Sequence, residues 1–140
     1  MGWMKWEKHN MPKFGRTSRK RLDTCHKKIQ QLFEEVVKNY DCSIVCGHRG
    51  EKEQNEAYQK GNSQVMFPKG RHNALPSKAV DVAPYPIDWE DREGFILFAG
   101  YVLGVASQLG MDIRWGGDWD GDFDLSDNEF DDLVHFEMRG

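Results

Sequence analysis

Three side chains that lie far apart in the 140-residue sequence could together bind a metal ion: His72, Asp81 and His135. Asp81 lies inside the apolar run AVDVA, where an ionised carboxylate is costly unless a partner neutralises it. His135 lies in a second apolar run, LVHFEM, and His72 precedes the AVDVA run by a short segment. Two histidines and one carboxylate are a common ligand set for catalytic zinc, which keeps a fourth position open for water. Bound zinc would supply the charge that Asp81 requires and would lower the pKa of that water towards about 7.

Spacing alone leaves simpler explanations for each of these residues open. A buried aspartate is more often satisfied by an arginine or by backbone amides, and a single histidine on a strand is more often a packed core residue. The three side chains would also have to meet in space, so the elements that carry them must be considered next.

Helical and strand patterns alternate irregularly along the chain. Apolar residues at helical spacing predict an amphipathic helix over residues 18–40 with Ser18 as its N-cap, and a second long helix that begins near Asp88 and ends at Gly110. A shorter helix, EKEQNEAYQKGN, is predicted to end at Gly61. Four short strands are predicted: CSIVCG, KAVDVAP, MDIRWGG and LVHFEM. This order favours an α+β fold, with a small, mostly antiparallel sheet flanked by helices.

Composition places the chain among ordinary soluble domains. Hydrophobic residues make up 39% and charged residues 30% of the sequence, which suits one globular domain. No segment approaches the roughly 20 apolar residues of a membrane span, so we expect no membrane insertion. The first residues lack the apolar core of a secretory signal peptide, so we expect folding in a cytosol. We expect residues 1–13 to form a flexible leader and residues 14–140 to form a single catalytic domain.

Charge is distributed unevenly between the two ends of the chain. Residues 1–28 carry nine lysines and arginines against two acids, and residues 111–140 carry ten acids against two arginines. The basic end is either a solvated helix face or a site for an anionic partner, such as a cell-wall polymer, a lipid or a nucleic acid. A nucleic-acid partner is not favoured, because the sequence has no motif that combines basic and aromatic residues for that purpose.

An acidic stretch near the C-terminal end resembles a loop that binds hard cations. In DWDGDFDLSD, acids alternate at Asp118, Asp120, Asp122 and Asp124. The sixth place holds Phe123 instead of the glycine of an EF-hand loop. We therefore favour a solvated acidic loop over a Ca²⁺ site.

Five sequence segments, in this order, resemble the family of zinc D-Ala-D-Ala carboxypeptidases and L-alanyl-D-glutamate endopeptidases, in particular its phage endolysins. The resemblance covers roughly residues 14–137. The matching segments are FGRTSRKRL, VCGHRGEKEQ, RHNALPSKAVDVAPYPIDW, IRWGGDWDGD and DDLVHFE.

The resemblance implies one zinc ion per chain, bound by His72, Asp81 and His135, within the zinc fold that this family shares with hedgehog proteins. It also implies that the acid three residues before the last histidine, Asp132, is the catalytic acid and base. A carboxylate there can take a proton from the attacking water and later give it to the departing amine. The neighbouring Asp131 is the competing candidate, and we favour Asp132 because the family pattern has the three-residue offset.

The resemblance further implies a substrate-binding role for Arg49, as a partner for a substrate carboxylate or for the developing oxyanion. Alternatively, Arg49 only pairs with an acid such as Glu53. Gln54 is a candidate for a second polar contact with substrate. Many relatives have a serine where this chain has Gly70, and six residues rather than eight between the first histidine and the aspartate. Ser77 is therefore a candidate to supply the missing hydroxyl.

Three further residues could support the site. Glu137 lies two residues after His135, on the same face of the predicted strand, and could contact it. Trp115 and Trp119 could line a substrate groove, although packing in the core is the more frequent role of such residues.

The resemblance implies hydrolysis of the peptide stem of bacterial peptidoglycan, most often at the L-Ala–D-Glu bond, by an endolysin that serves host-cell lysis. We expect a monomer that accumulates in the cytoplasm of the bacterial host and acts on the wall after release. Cleavage of D-Ala–D-Ala by a carboxypeptidase or dipeptidase remains an alternative. A wall-binding module that zinc stabilises without catalysis is another, and a nucleic-acid binder that uses the basic N-terminal end is the third.

Overall fold

The computed structural model describes residues 12–127 and 131–140. Most of the predicted leader therefore lies outside the described residues. The regular elements of the described part are α1 (Arg16–Leu22), α2 (Lys27–Val37), β1 (Cys42–Cys46), α3 (Glu51–Gln59), β2 (Ala79–Pro84), α4 (Arg92–Gln108), β3 (Ile113–Gly116) and β4 (Asp132–Met138), with 3-10 turns at Arg71–Asn73 and Leu125–Asp127.

The four strands form one antiparallel sheet in the order β1-β2-β4-β3. The two central strands are β2 and β4, and in their register Asp81 lies directly opposite His135. The predicted α+β class with a small antiparallel sheet is confirmed. The sheet thus brings together two residues that are 54 positions apart in the sequence.

The hydrophobic core lies between the sheet and helices α2 and α4. Phe136 on β4 packs edge-on against Phe33 of α2 and Phe98 of α4, with ring centroids 5.6 and 6.2 Å apart. All three rings are buried, and burial of one such side chain stabilises the fold by roughly 1.5–3 kcal/mol. Because side chains alternate along a strand, His135 and Glu137 point to the opposite face from Phe136.

The predicted single helix over residues 18–40 is wrong, because α1 and α2 are separated by a break. The segment before β2 binds to the backbone at this break. Ser77 donates its N–H to the carbonyl of Thr24 and accepts from the N–H of His26, both at 2.8 Å. The helical pattern is local, whereas these bonds join residues about fifty positions apart, so the pattern could not reveal the break.

The predicted N-caps differ from the observed ones, and the predicted glycine stops agree. Ser18 lies within α1, where its hydroxyl accepts a hydrogen bond from the backbone of β1. Asp91, rather than Asp88, caps α4. Gly61 and Gly110 follow α3 and α4 with φ of +79° and +70°, a conformation that glycine adopts without strain.

None of the helices in the described residues has both the length and the apolar character that a membrane crossing requires.

Candidate metal centre and active site

The structure brings the three predicted ligands together on the face of the sheet opposite the helices. Asp81 and His135 are cross-strand partners on β2 and β4, and His72 lies in the 3-10 turn that precedes β2. His72 Nε2 lies 3.2 Å from Asp81 Oδ1 and 3.3 Å from His135 Nδ1. His135 Nδ1 lies 3.3 Å from Asp81 Oδ1. The three ligand atoms therefore form a nearly equilateral triangle.

This triangle fits a tetrahedral zinc ion. Ligands at the zinc–nitrogen and zinc–oxygen bond lengths of a tetrahedral site lie about 3.3–3.4 Å from one another. His72 Nδ1 lies 2.7 Å from the carbonyl oxygen of Gly47, which can only accept, so Nδ1 carries the proton and Nε2 presents a lone pair. His135 Nε2 likewise donates to Glu137 at 2.7 Å, which leaves Nδ1 as its ligand atom. Both of these nitrogens lie 3.2–3.3 Å from Asp81 Oδ1.

The electrostatics of the cluster show that the buried Asp81 needs a positive neighbour. Burial acts to lower the pKa of His72, but the charge and hydrogen bond of Asp81 outweigh it and raise the pKa to about 10. Burial also acts to lower the pKa of His135, but the hydrogen bonds to Asp81 and Glu137 outweigh it and raise the pKa. Burial would raise the pKa of Asp81, yet the two histidines hold it well below its usual range. Arg49 supplies part of this positive charge, and a proton on a histidine or a metal cation can supply more.

Asp132 lies beside the triangle, whereas Asp131 is turned towards a helix. Asp132 Oδ2 lies 3.9 Å from His135 Nδ1, and its side chain is 23% exposed. Burial, with the negative charge of Asp81, raises the pKa of Asp132 to about 6. Asp131 forms a 2.7 Å ion pair with Arg92 of α4. Of the two acids, the structure brings Asp132 to the predicted metal ligands.

Arg49 lies at the edge of the candidate metal centre and pairs with Asp81 rather than with Glu53. Its NH2 group lies 3.4 Å from Asp81 Oδ2, and its side chain is 15% exposed at the cleft. Its backbone N–H donates to the carbonyl of His72 at 2.8 Å, so the same residue also holds the turn that carries this ligand.

Gln54 lines the cleft, but its hydrogen-bonding groups are used within the protein. Its Nε2 donates to Ser63 Oγ at 2.9 Å and to the carbonyl of Val65 at 2.7 Å. Its Oε1 accepts from Arg49 at 3.1 Å and from Asn73 at 3.2 Å. With 1% exposure, Gln54 positions Arg49 instead of offering the free polar group that the sequence suggested.

The structure does not bring Ser77 to the cleft. Its side chain is fully buried, and its hydroxyl donates to the carbonyl of Ala79 at 2.7 Å. A Cβ atom at Gly70 would lie 2.7 Å from both Gln54 Oε1 and Asn73 Oδ1. These two side chains occupy the space beside Gly70, and the buried Ser77 does not supply a hydroxyl there.

A cleft of about 520 Å³ is lined by His72 and His135, two of the predicted metal ligands. Trp119 lines it, with its ring 5.4 Å from the ring of His135, whereas Trp115 is packed in the core. A second depression of about 420 Å³ shares Arg49 and Asp132 with the cleft and is bordered by Trp89. Arg49 and Asp132 therefore lie where the two halves of one groove meet.

Glu137 connects His135 to two arginines that the sequence did not single out. Besides its bond to His135, it accepts from Arg114 at 2.7 Å and lies 3.5 Å from Arg71 Nε. Burial would raise the pKa of Glu137, but His135 and Arg114 outweigh it and lower the pKa to about 2. Arg114 is the cross-strand partner of Glu137, so only the register of β3 and β4 could have revealed the pair. The one sequence signal for Arg71 is its place next to His72.

The acidic loop contains one buried acid, so it is not simply the solvated loop that the sequence favoured. Asp118, Asp120 and Asp122 each bring a carboxylate oxygen within 4.8 Å of the others. Asp118 is 5% exposed, and its Oδ1 has no hydrogen-bond partner among the described residues. Burial, with the two neighbouring carboxylates, raises the pKa of Asp118.

Comparisons with known proteins agree with this geometry. The sequence model of a family described as phage L-alanyl-D-glutamate peptidase matches residues 11–138. The L-alanyl-D-glutamate peptidase of Escherichia phage T5 is 31% identical over 121 residues, which cover 82% of this chain and 87% of the relative. The crystal structure of the L-Ala D-Glu endopeptidase ChiX of Serratia marcescens superposes with a TM-score of 0.70 at 24% identity, over 91% of this chain and 90% of that one. This superposition confirms the fold, and the resemblance read from the sequence is confirmed as well: the chain belongs to the family of phage L-alanyl-D-glutamate peptidases.

Proposed function

We propose that the protein is a zinc-dependent endolysin that hydrolyses the L-Ala–D-Glu bond in the peptide stem of bacterial peptidoglycan. The triangle of ligand atoms 3.2–3.3 Å apart, with Asp132 beside it in an open cleft, carries this proposal. Membership of the family supports the bond, since the phage T5 and Serratia relatives are both named for it.

His72, Asp81 and His135 would hold one zinc ion per chain. When bound, zinc acts as a Lewis acid that lowers the pKa of water towards about 7. Asp132 takes the proton of the attacking water as the new C–O bond forms at the carbonyl of L-Ala. It then gives that proton to the nitrogen of D-Glu as the C–N bond breaks.

Arg49 would stabilise the negative charge that develops on the carbonyl oxygen. A guanidinium held in place before the reaction stabilises such a charge without reorganising. The side chain of Gln54 orients the guanidinium of Arg49 through a hydrogen bond, and the carbonyl of His72 holds the backbone N–H of Arg49. Arg49 therefore acts on the substrate, and Gln54 acts through Arg49.

The proposed setting is that of a phage lysis enzyme. We propose a monomer that accumulates in the cytoplasm of the host and reaches the peptidoglycan after release, without a nucleic-acid partner. Cleavage at D-Ala–D-Ala would use the same metal chemistry, and a wall-binding module would use the metal without catalysis.

Digestion of purified peptidoglycan by the zinc-loaded protein tests the proposal. New amino groups and new reducing ends are counted separately, with and without a chelator. We expect amino groups alone to rise, chelator to abolish the rise and zinc to restore it. Labelling the new N-terminus should identify D-Glu, whereas D-Ala would indicate the alternative bond. Release of neither group by protein shown to carry zinc would favour the binding module.

A further inference from the structure

The two halves of the groove differ in charge. The cleft of about 520 Å³ is lined by four cations, Arg49, Lys69, Arg71 and Arg114, and by three acids, Asp120, Asp132 and Glu137. Among the described residues, the second depression is lined by one cation, Arg49, by three acids, Asp81, Asp131 and Asp132, and by the 61% exposed ring of Trp89. A substrate that crosses the metal centre would therefore meet a basic half on one side and an aromatic half on the other.

The charge of the basic half is concentrated around Glu137. Arg114 and Arg71 both face this carboxylate, so two guanidinium groups share one carboxylate and the three side chains carry one excess positive charge by formal count. The guanidinium of Arg114 also lies 5.6 Å from the centre of the Trp119 ring, which holds it at the cleft wall. The side chains of Arg71 and Arg114 are 38% and 32% exposed in the cleft lining, so the pair can accept a further carboxylate.

The proposed substrate has a free carboxylate next to the bond that is cut. D-Glu is linked to the next stem residue through its side-chain carboxyl, which leaves its α-carboxylate free. That group is attached to the carbon that bears the scissile nitrogen, so it lies within about 5 Å of the attacked carbonyl. Arg114 lies one residue away from the predicted ligand His135, because Glu137 contacts both side chains at 2.7 Å. On the other side of the bond, the carboxyl groups of L-Ala and of the lactyl unit are amides without charge.

We propose that Arg114, with Arg71, binds the free α-carboxylate of the D-Glu residue, an inference that rests on the proposed function. This contact makes the protein select stems in which the α-carboxylate is not amidated. Charge complementarity places D-Glu in the basic half and the L-Ala and sugar side next to Trp89. Arg114 is thus a specificity-determining residue, separate from Arg49 at the carbonyl.

Two synthetic stem peptides test this proposal, one with D-Glu and one with D-isoglutamine, in which the α-carboxylate is a neutral carboxamide. We expect zinc-loaded wild-type protein to cleave the D-Glu peptide with a kcat/KM about tenfold higher or more, the size of one charge-assisted contact. In Arg114→Gln this ratio should fall to within about twofold of one, and in Arg71→Gln it should fall to an intermediate value. Arg139→Gln, the same change at an arginine that pairs with Asp112 outside the cleft, should keep the wild-type ratio.

The ratio separates recognition from a structural role. A structural defect in Arg114→Gln would lower the rates on both peptides equally and leave the ratio at its wild-type value, which would overturn the proposal. Equal rates of wild-type protein on the two peptides would also overturn it while leaving the proposed peptidase activity intact. Cleavage of neither peptide would overturn the proposed function and this inference together. Arg114→Lys, which keeps the charge, should retain part of the preference for the D-Glu peptide. It replaces Arg114→Gln in this test if the glutamine variant does not fold.

Discussion

Replacing Asp132 with asparagine should separate proton transfer from metal binding. The substitution keeps the size of the side chain but removes the group that accepts and donates the proton. General acid–base catalysis contributes about 10²–10⁴-fold, so we expect kcat on a stem peptide to fall by about that factor. Because Asp132 is outside the triangle of ligands, the variant should still bind one zinc ion per chain, which metal analysis of the purified protein measures.

The structure also gives the sign of the change in stability. Burial and the charge of Asp81 raise the pKa of Asp132 from 3.8 to about 6. Without metal, ionisation of Asp132 therefore destabilises the fold increasingly as pH rises from about 4 to 6, by on the order of 2–3 kcal/mol above that range. Asparagine removes this cost. At pH 7 the metal-free variant should unfold at a higher urea concentration than the metal-free wild-type protein.

Asp131→Asn is the matched control for this experiment. It removes the same charge from the neighbouring position, where an ion pair with Arg92 joins side chains that are 32% and 53% exposed. Such a pair contributes about 0–1 kcal/mol, so we expect kcat within about twofold of wild type. Wild-type kcat in Asp132→Asn, or the large loss in Asp131→Asn instead, would refute the assignment. Loss of zinc from Asp132→Asn would identify that residue as a ligand.

Three further substitutions test other parts of the site. A Cβ atom at Gly116 would contact the backbone of Asp132, so Gly116→Ala should lower kcat at least about tenfold while zinc is retained. Gly104 on α4 has open space around it, so Gly104→Ala should not lower kcat. Equal activity in the two variants would contradict this reasoning. Glu137→Gln should weaken zinc binding about 10–100-fold in competition with a chelator, and unchanged affinity would show that its bond to the metal ligand is dispensable. Millimolar Ca²⁺ should raise the melting temperature of the wild-type protein but not of Asp118→Asn; no shift in either would leave the buried carboxylate without a cation partner.

The sequence was most informative where the chemistry of a residue and its local pattern agree. Asp81 in an apolar run predicted a buried charge in need of a partner, and the structure shows two histidines and Arg49 around it. Alternation along β4 correctly placed Glu137 on the face of His135. These inferences needed only the period of a strand and the cost of burying a carboxylate.

Other features depend on contacts between distant residues and could not be predicted from local patterns. Gln54 has the position of a substrate contact in the sequence, but its amide is fully occupied by a loop ten residues away and by Asn73. Arg114 has no distinguishing neighbour along the chain, and its role follows only from the register that sets it opposite Glu137. Ser77 could be placed in the cleft by its distance from the aspartate, but its backbone bonds at the break between α1 and α2 hold it inside the protein.

Glu137 divides its two oxygens between the metal centre and the basic half of the cleft. Oε1 accepts from His135, whereas Oε2 accepts from Arg114 and faces Arg71. Because the arginines bind the oxygen that the histidine does not use, Arg114→Gln should leave zinc affinity within a few-fold of wild type, whereas Glu137→Gln should weaken it. Competition with a chelator in both variants decides the matter. If the arginine variant loses as much zinc affinity as the glutamine substitution at Glu137, then Arg114 serves the metal centre through Glu137, and a change in substrate preference could no longer be attributed to direct contact with the carboxylate.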